Sequence, residues 1–146
     1  MKPPKLTIYN HQRAQKVDAR WIQRTARAAL PACLVAARNA DAPLFALPEI
    51  EVSIISDQQI TRVHAGFLED ATPTDVITFH HGEILVSADT AARQGPEHGQ
   101  PLNCELALYV IHGLLHLAGW DDHDPAEQKQ MHALQEDILR RAVNST

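Results

Sequence analysis

The segment IHGLLHLAGWDDHD, residues 111–124, holds the side chains best able to do chemistry. His112 and His116 are four residues apart, so on a helix their side chains stack on one face and their ring nitrogens can converge on one ion. Both stand in a run expected to be buried, where an imidazole without a partner is costly and coordination supplies one. Gly119, in the place of a helix C-cap, tolerates positive φ and lets the chain turn back towards the same ion, delivering Asp121, Asp122 or His123. Zinc accepts a carboxylate or an imidazole as third ligand, and three protein ligands leave a fourth position for water, as in a catalytic site. A structural zinc needs a fourth protein ligand, and Cys104, two helical turns before His112, cannot converge with the pair. The residue after His112 is Gly113, where H-E-x-x-H zinc peptidases carry their general base, so peptide hydrolysis ranks below phosphodiester hydrolysis.

The elements that must position these residues are legible as patterns. Residues 6–9 suit a first strand, and Asp18 suits the N-cap of a long helix reaching about Arg38. On that helix Ile22, Ala26, Ala29 and Cys33 share one face, and Arg13, Lys16, Arg20, Arg24 and Arg27 line the opposite one if the helix extends that far back. Pro43 and Pro48 bracket a loop; residues 50–55 alternate as a second strand; Ser56 caps a short helix with Ile60, Val63 and Phe67. Residues 76–79 and 84–86 form two further strands about a turn at Gly82. A helix over 89–94 and a Gly/Pro-punctuated loop, GPEHGQP, come next. Residues 102–118 form a helix apolar on nearly every face except at Glu105, His112 and His116, which places it in the interior. Pro125 opens a last helix striped by Met131, Leu134, Ile138 and Val143.

Composition bounds the function. At 146 residues, 45% hydrophobic and 21% charged, the chain reads as one globular domain spanning residues 1–146. Its longest uncharged apolar run, residues 106–111, is far too short to span a bilayer. No apolar stretch follows the basic N-terminus, MKPPKLTIYN, so a cytoplasmic protein is expected. Cys33 and Cys104 read as buried free thiols with no disulfide partner. The net charge of −5 hides a split: residues 1–38 hold eight Lys/Arg against one acid, and residues 39–146 five against seventeen. The basic stripe at Arg20, Arg24 and Arg27 is either a solvated helix face or a surface that neutralises phosphates.

Three segments together resemble the YbeY family of endoribonucleases. Residues 111–124 resemble its H-G-x-L-H-L-x-G-[YW]-D-H signature, PTDVITF at 73–79 its P-T-D-V-L-S-F element, and GEILVS at 82–87 its G-D-I-x-I-S strand. The resemblance implies an α+β, zincin-like fold with a small mixed sheet and a buried, metal-bearing central helix. It implies a zinc-dependent hydrolase, one Zn2+ per chain, that cleaves single-stranded RNA in maturation of the 16S ribosomal RNA 3′ end and in ribosome quality control, with ribosomal RNA and the small ribosomal subunit as partners. His112 and His116 match family ligands. The family's third histidine falls at Asp122, with His123 one place later as the alternative ligand. Where the family carries an arginine expected to touch phosphate stands Leu68, so either another cation such as Arg62 or Arg93 takes over, or turnover is weak, or the substrate contact differs. Asp75 is the candidate for orienting a ligand ahead of capping a turn, and His80 is either a proton shuttle or an exposed strand end. A ribosome assembly factor that keeps the metal for stability is the alternative to an enzyme.

Overall fold

Apolar–polar alternation in the first two strands and strand-favouring residues in the last two produce the sheet, and a computed structural model of the chain, describing residues 2–68 and 74–145 except the side chains of Phe67 and Leu68, shows how they assemble. β1 (Lys5–Asn10), β2 (Glu49–Ile55), β3 (Val76–Phe79) and β4 (Glu83–Ser87) form a sheet in the order β1-β2-β4-β3. β1 and β2 are parallel, as are β2 and β4, whereas β3 runs antiparallel to β4. This is the mixed sheet of an α+β fold. Gly82, at φ +107°, makes the β3–β4 turn, and a Cβ there would stand 2.8 Å from the Glu49 carbonyl oxygen.

One face of the sheet carries Leu6, Ile8, Ile50, Val52, Ile54, Ile84 and Val86, all buried in the main core. Against that core lie α1 (Ala19–Val35) and α5 (Leu102–Leu117), with α4 (Ala88–Glu97) packed on α5, and α6 (Pro125–Asn144) packed on both α1 and α5. The opposite face has a smaller cluster of Ile55, Ile60, Ile77 and Leu85 beside α3 (Asp57–Leu68). The helix carrying the histidine pair is thus interior, as its apolar composition requires.

Local signals set most helix ends. Asp18 accepts the Trp21 N–H at 3.1 Å, and Asp124 the Glu127 N–H at 3.3 Å just before Pro125. Ser56 and Gln59 form a reciprocal capping box, the Gln59 N–H bonding to Ser56 Oγ at 3.2 Å and the Ser56 N–H to Gln59 Oε1 at 2.9 Å.

Three expectations are corrected. α1 starts only after its Asp18 cap and ends at Val35, so Arg13 and Lys16 precede the helix and Arg38 lies beyond it. Pro43, a favourable first helical residue, starts a one-turn helix, α2 (Pro43–Ala46), inside the segment expected to be a loop. α4 continues through Gly95 and Pro96 to Glu97; the chain then folds back tightly, the Gln100 N–H reaching the Gly95 carbonyl at 2.7 Å. A Cβ on Gly95 would meet the Gln100 carbonyl oxygen at 2.8 Å, so this glycine serves a close approach rather than a loop.

Packing also explains Gly113. A Cβ there would lie 3.0 Å from Ile84 Cδ1, Ile84 Cγ2 and Thr78 Oγ1 at once, so α5 reaches the sheet this closely only without a side chain at that position. Both neighbours are β-branched and stiff at χ1. Gly113→Ala should therefore destabilise: about 1 kcal/mol of gained helix propensity is outweighed by an overpacking cost of about 1–3 kcal/mol. Urea unfolding should show a lower midpoint at unchanged slope.

Candidate metal centre

The turn after α5 brings a third donor back to the histidine pair. Ala118 ends the helix and Gly119 turns at φ +99°; the N–H groups of Gly119 and Trp120 bond to the carbonyls of His116 and Leu115, each at 3.0 Å. These are the paired bonds of a Schellman motif, which satisfies carbonyls the helix leaves open and reverses the chain. As a result Asp122 Oδ2 stands 3.5 Å from His112 Nε2 and 3.9 Å from His116 Nε2.

Neighbours fix both imidazole tautomers. His116 Nδ1 lies 3.0 Å from the Trp120 carbonyl oxygen, which can only accept, so Nδ1–H donates. His112 Nδ1 lies 2.8 Å from Gln135 Oε1 on α6 and donates in the same way. Each neutral ring then presents only a lone pair at Nε2. The two Nε2 atoms are 2.9 Å apart with their rings edge to face. Two lone pairs cannot bond to each other at that distance; a cation between them turns the repulsion into coordination.

The donor set fits zinc. Two imidazoles and one carboxylate are an established catalytic zinc set, and donors about 2.0–2.1 Å from a tetrahedral ion stand roughly 3.3 Å from each other. The three separations here, 2.9, 3.5 and 3.9 Å, surround that figure. Burial, as the largest influence, lowers the His112 pKa, and the adjoining His116 ring acts in the same direction. The Gln135 hydrogen bond and the charges of Asp75 and Asp122 only partly oppose this. The net shift keeps the ring in the neutral, metal-binding form.

The remaining candidates are placed as follows. His123 does not join the pair: its side chain is 90% exposed and lies 3.5 Å from Asp121, whereas that of Asp122 is 31% exposed and faces the histidines. Asp75 lies close enough for its charge to act on His112, and its carboxylate accepts the Val76 N–H at 2.8 Å. His80 is exposed in the turn after β3. Arg20 and Arg24 are exposed on α1, but Arg27 donates through Nε to the Leu6 carbonyl at 2.9 Å, tying the helix to β1.

Arg62 and Arg93, the two cations offered in place of the family arginine, have the following surroundings. Arg62 is exposed on α3, across the sheet from α5. Arg93 donates to Asp57 Oδ2 at 2.6 Å and to Thr90 Oγ1 at 3.1 Å. Burial raises the Asp57 pKa, but the hydrogen bonds from Arg93, Ser87 and Thr90 outweigh it and hold the carboxyl below its usual value, as an anion facing the Arg93 guanidinium. The side chain of Leu68, and Pro73 of the PTDVITF element, lie outside the described residues.

Two orienting groups were not read from sequence: the Trp120 carbonyl and Gln135. Gln135 left a trace, since it stands four residues from both Met131 and Leu139 on the buried face of α6, where a polar residue needs a partner. On the same helix as the histidine pair, Glu105 has a separate role. Fully buried, it accepts from Gln100 Nε2 at 2.7 Å and lies 2.8 Å from His98 Nδ1, closing the chain between α4 and α5.

Comparison with known proteins agrees with this architecture. The sequence model of the family described as Endoribonuclease YbeY matches residues 7–143. The Endoribonuclease YbeY of Gluconobacter oxydans (strain 621H) is 32% identical over 132 residues, covering 84% of this chain and 79% of that protein. That of Acholeplasma laidlawii (strain PG-8A) is 36% identical over 101 residues, covering 64% and 74%. Among solved structures, the solution structure of TM1509 from Thermotoga maritima superimposes with a TM-score of 0.60 at 22% identity, covering 96% of this chain and 90% of that one, a likeness of fold.

Gln135→Ala removes the acceptor that orients His112 and leaves a buried N–H unpaired. Zinc affinity, measured by competition with a chromophoric chelator, should fall about 10–100-fold, with Gln135→Glu closer to native than Gln135→Ala.

Proposed function

Because the chain belongs to the YbeY endoribonuclease family, we propose that residues 1–146 act as one zinc-dependent domain that cleaves single-stranded RNA in the cytoplasm. Its place is maturation of the 16S ribosomal RNA 3′ end and ribosome quality control, on ribosomal RNA and the small ribosomal subunit. The observation that carries this reading is the convergence of His112, His116 and Asp122, with both Nε2 lone pairs aimed at one point and both tautomers held from behind.

His112, His116 and Asp122 hold one zinc ion, with His123 as the alternative third donor should the exposed turn rearrange. Bound there, zinc supplies Lewis acidity towards a phosphoryl oxygen or a water. The family relationship makes RNA the substrate, and Gly113, which leaves no glutamate beside the first histidine, agrees with phosphodiester rather than peptide chemistry. Asp75, whose charge acts on His112, is one candidate for taking up a proton, and His80, exposed in the turn after β3, is the other. Arg20 and Arg24 supply sequence-independent phosphate contacts, and Arg27 adds what its bond to Leu6 leaves free.

One observation favours a second reading, an assembly factor that keeps its metal for stability. Leu68 replaces the family arginine, and Arg93 is committed to Asp57 and Thr90.

Zinc content by elemental analysis and single-stranded RNA cleavage, followed in the same samples, separate the two. The native chain should carry about one zinc ion and cleave. His116→Ala and Asp122→Ala should lose both properties, and His123→Ala should keep both. Zinc without cleavage would establish the assembly factor, and native protein free of zinc would overturn the metal reading. Cleavage surviving in the His112→Ala, His116→Ala double variant marks contaminating nuclease.

Replacing Arg20, Arg24 and Arg27 with Gln should weaken single-stranded RNA binding and flatten the slope of log K against log salt by up to about 2, roughly 0.7 for each phosphate no longer neutralised. An unchanged slope makes the stripe a solvated helix face.

A further inference from the structure

Two of the three metal donors stand on a helix whose backbone fixes them; the third, Asp122, stands on the short connection between α5 and α6. How firmly that connection is held decides how much order an incoming ion must impose on it. The residues that hold it come from the other end of the sequence. Just after α1, the Arg38 N–H donates to the Ala118 carbonyl at 2.9 Å, and the Ala36 carbonyl accepts the Trp120 indole N–H at 2.9 Å. The Arg38 guanidinium lies 4.7 Å from the centre of the Trp120 ring, and one of its nitrogens lies 3.2 Å from Glu127 Oε1. The other oxygen of that carboxylate accepts the Asp121 N–H at 2.6 Å.

The planar guanidinium therefore serves two groups at once, stacking on an aromatic face and pairing with a carboxylate at its edge. Each leads to a donor. The Trp120 carbonyl orients His116, and the Glu127 carboxylate holds the backbone of the residue beside Asp122. Glu127 is well placed for this, in the first turn of α6 with its side chain 20% exposed, where the helix N-terminus favours a negative charge.

We propose that Arg38 is a positioning residue for the metal centre: acting through Trp120 and Glu127, it holds the α5–α6 turn in the shape that presents Asp122, and so sets the affinity for the ion. This rests on the reading of His112, His116 and Asp122 as zinc ligands. Arg38 acts on no substrate, and its contribution appears in metal affinity before it appears in turnover.

The test is the zinc dissociation constant, from competition with a chromophoric chelator, for native protein, Arg38→Ala, Arg38→Lys, Glu127→Gln, Asp122→Ala and the Arg38→Ala, Asp122→Ala pair. Melting of the zinc-stripped proteins is followed alongside. Arg38→Ala should weaken zinc binding about tenfold or more. Arg38→Lys, which keeps the charge but not the plane, should recover part of that loss. In the Asp122→Ala background Arg38→Ala should cost clearly less than in the native background, because the route through Glu127 has lost its donor and only the route through Trp120 to His116 remains. Native-like affinity in Arg38→Ala overturns the proposal. So does an equal fold-loss with and without Asp122, which would make Arg38 a general stabiliser of the fold. If Arg38→Ala fails to fold when stripped of zinc, Arg38→Lys and Glu127→Gln, each paired with Asp122→Ala, carry the same comparison. Native protein that binds no zinc overturns the metal reading and this proposal with it, and that result differs from a loss confined to the Arg38 and Glu127 variants.

Discussion

Two imidazole lone pairs facing each other at 2.9 Å in a largely buried corner are the constraint on which the site depends. Neither ring can relieve the other, because each already donates its Nδ1 proton elsewhere, His112 to Gln135 and His116 to the Trp120 carbonyl. A cation held between the two rings would turn that repulsion into coordination. The rest of the local structure follows from that requirement: an interior helix that keeps the rings from turning to solvent, acceptors behind both rings, and a turn that brings a carboxylate to complete the set.

Those requirements fall on elements far apart in sequence. α5 supplies the pair and reaches the sheet closely because residue 113 has no side chain. α6 supplies Gln135 and, through Glu127, a hold on the turn; the segment after α1 supplies Arg38 and the Ala36 carbonyl. The metal corner is therefore coupled to the packing of α1 and α6 on α5, and the core and the site share a structural basis.

Charge is distributed in a related way. Acidic groups gather around the metal corner, where Asp75 and Asp122 act on His112, while the exposed cations Arg20 and Arg24 lie on α1. A cation holding phosphate and a cation holding the fold are different things, and several arginines here are of the second kind. Arg27 ties α1 to β1, Arg93 joins α4 to α3 through Asp57, and Arg38 joins the end of α1 to the turn. Counting basic residues along the first 38 positions could not separate these uses, because a guanidinium's role depends on which carbonyl or carboxylate the fold brings beside it.

What the sequence by itself determined was whatever depends on near neighbours in the chain. The four-residue spacing of His112 and His116, the capping side chains of Asp18 and Ser56, Pro125 at the start of the last helix, the glycines at 82 and 119 and the all-round apolar character of α5 are properties of a few consecutive residues. Their physics is local: helical periodicity, a hydrogen bond three residues away, or a φ angle only glycine adopts freely. The register of the resemblance puts Asp122 ahead of the chemically equal His123, and the fold shows the outcome in space, with Asp122 beside the pair and His123 exposed. Tertiary structure alone decided that Gln135 stands behind His112, that Gly95 lies inside a helix and that Arg27 and Arg93 are occupied by structure. Each of these rests on a contact between segments that only folding brings together, and no pattern within either segment encodes the partner.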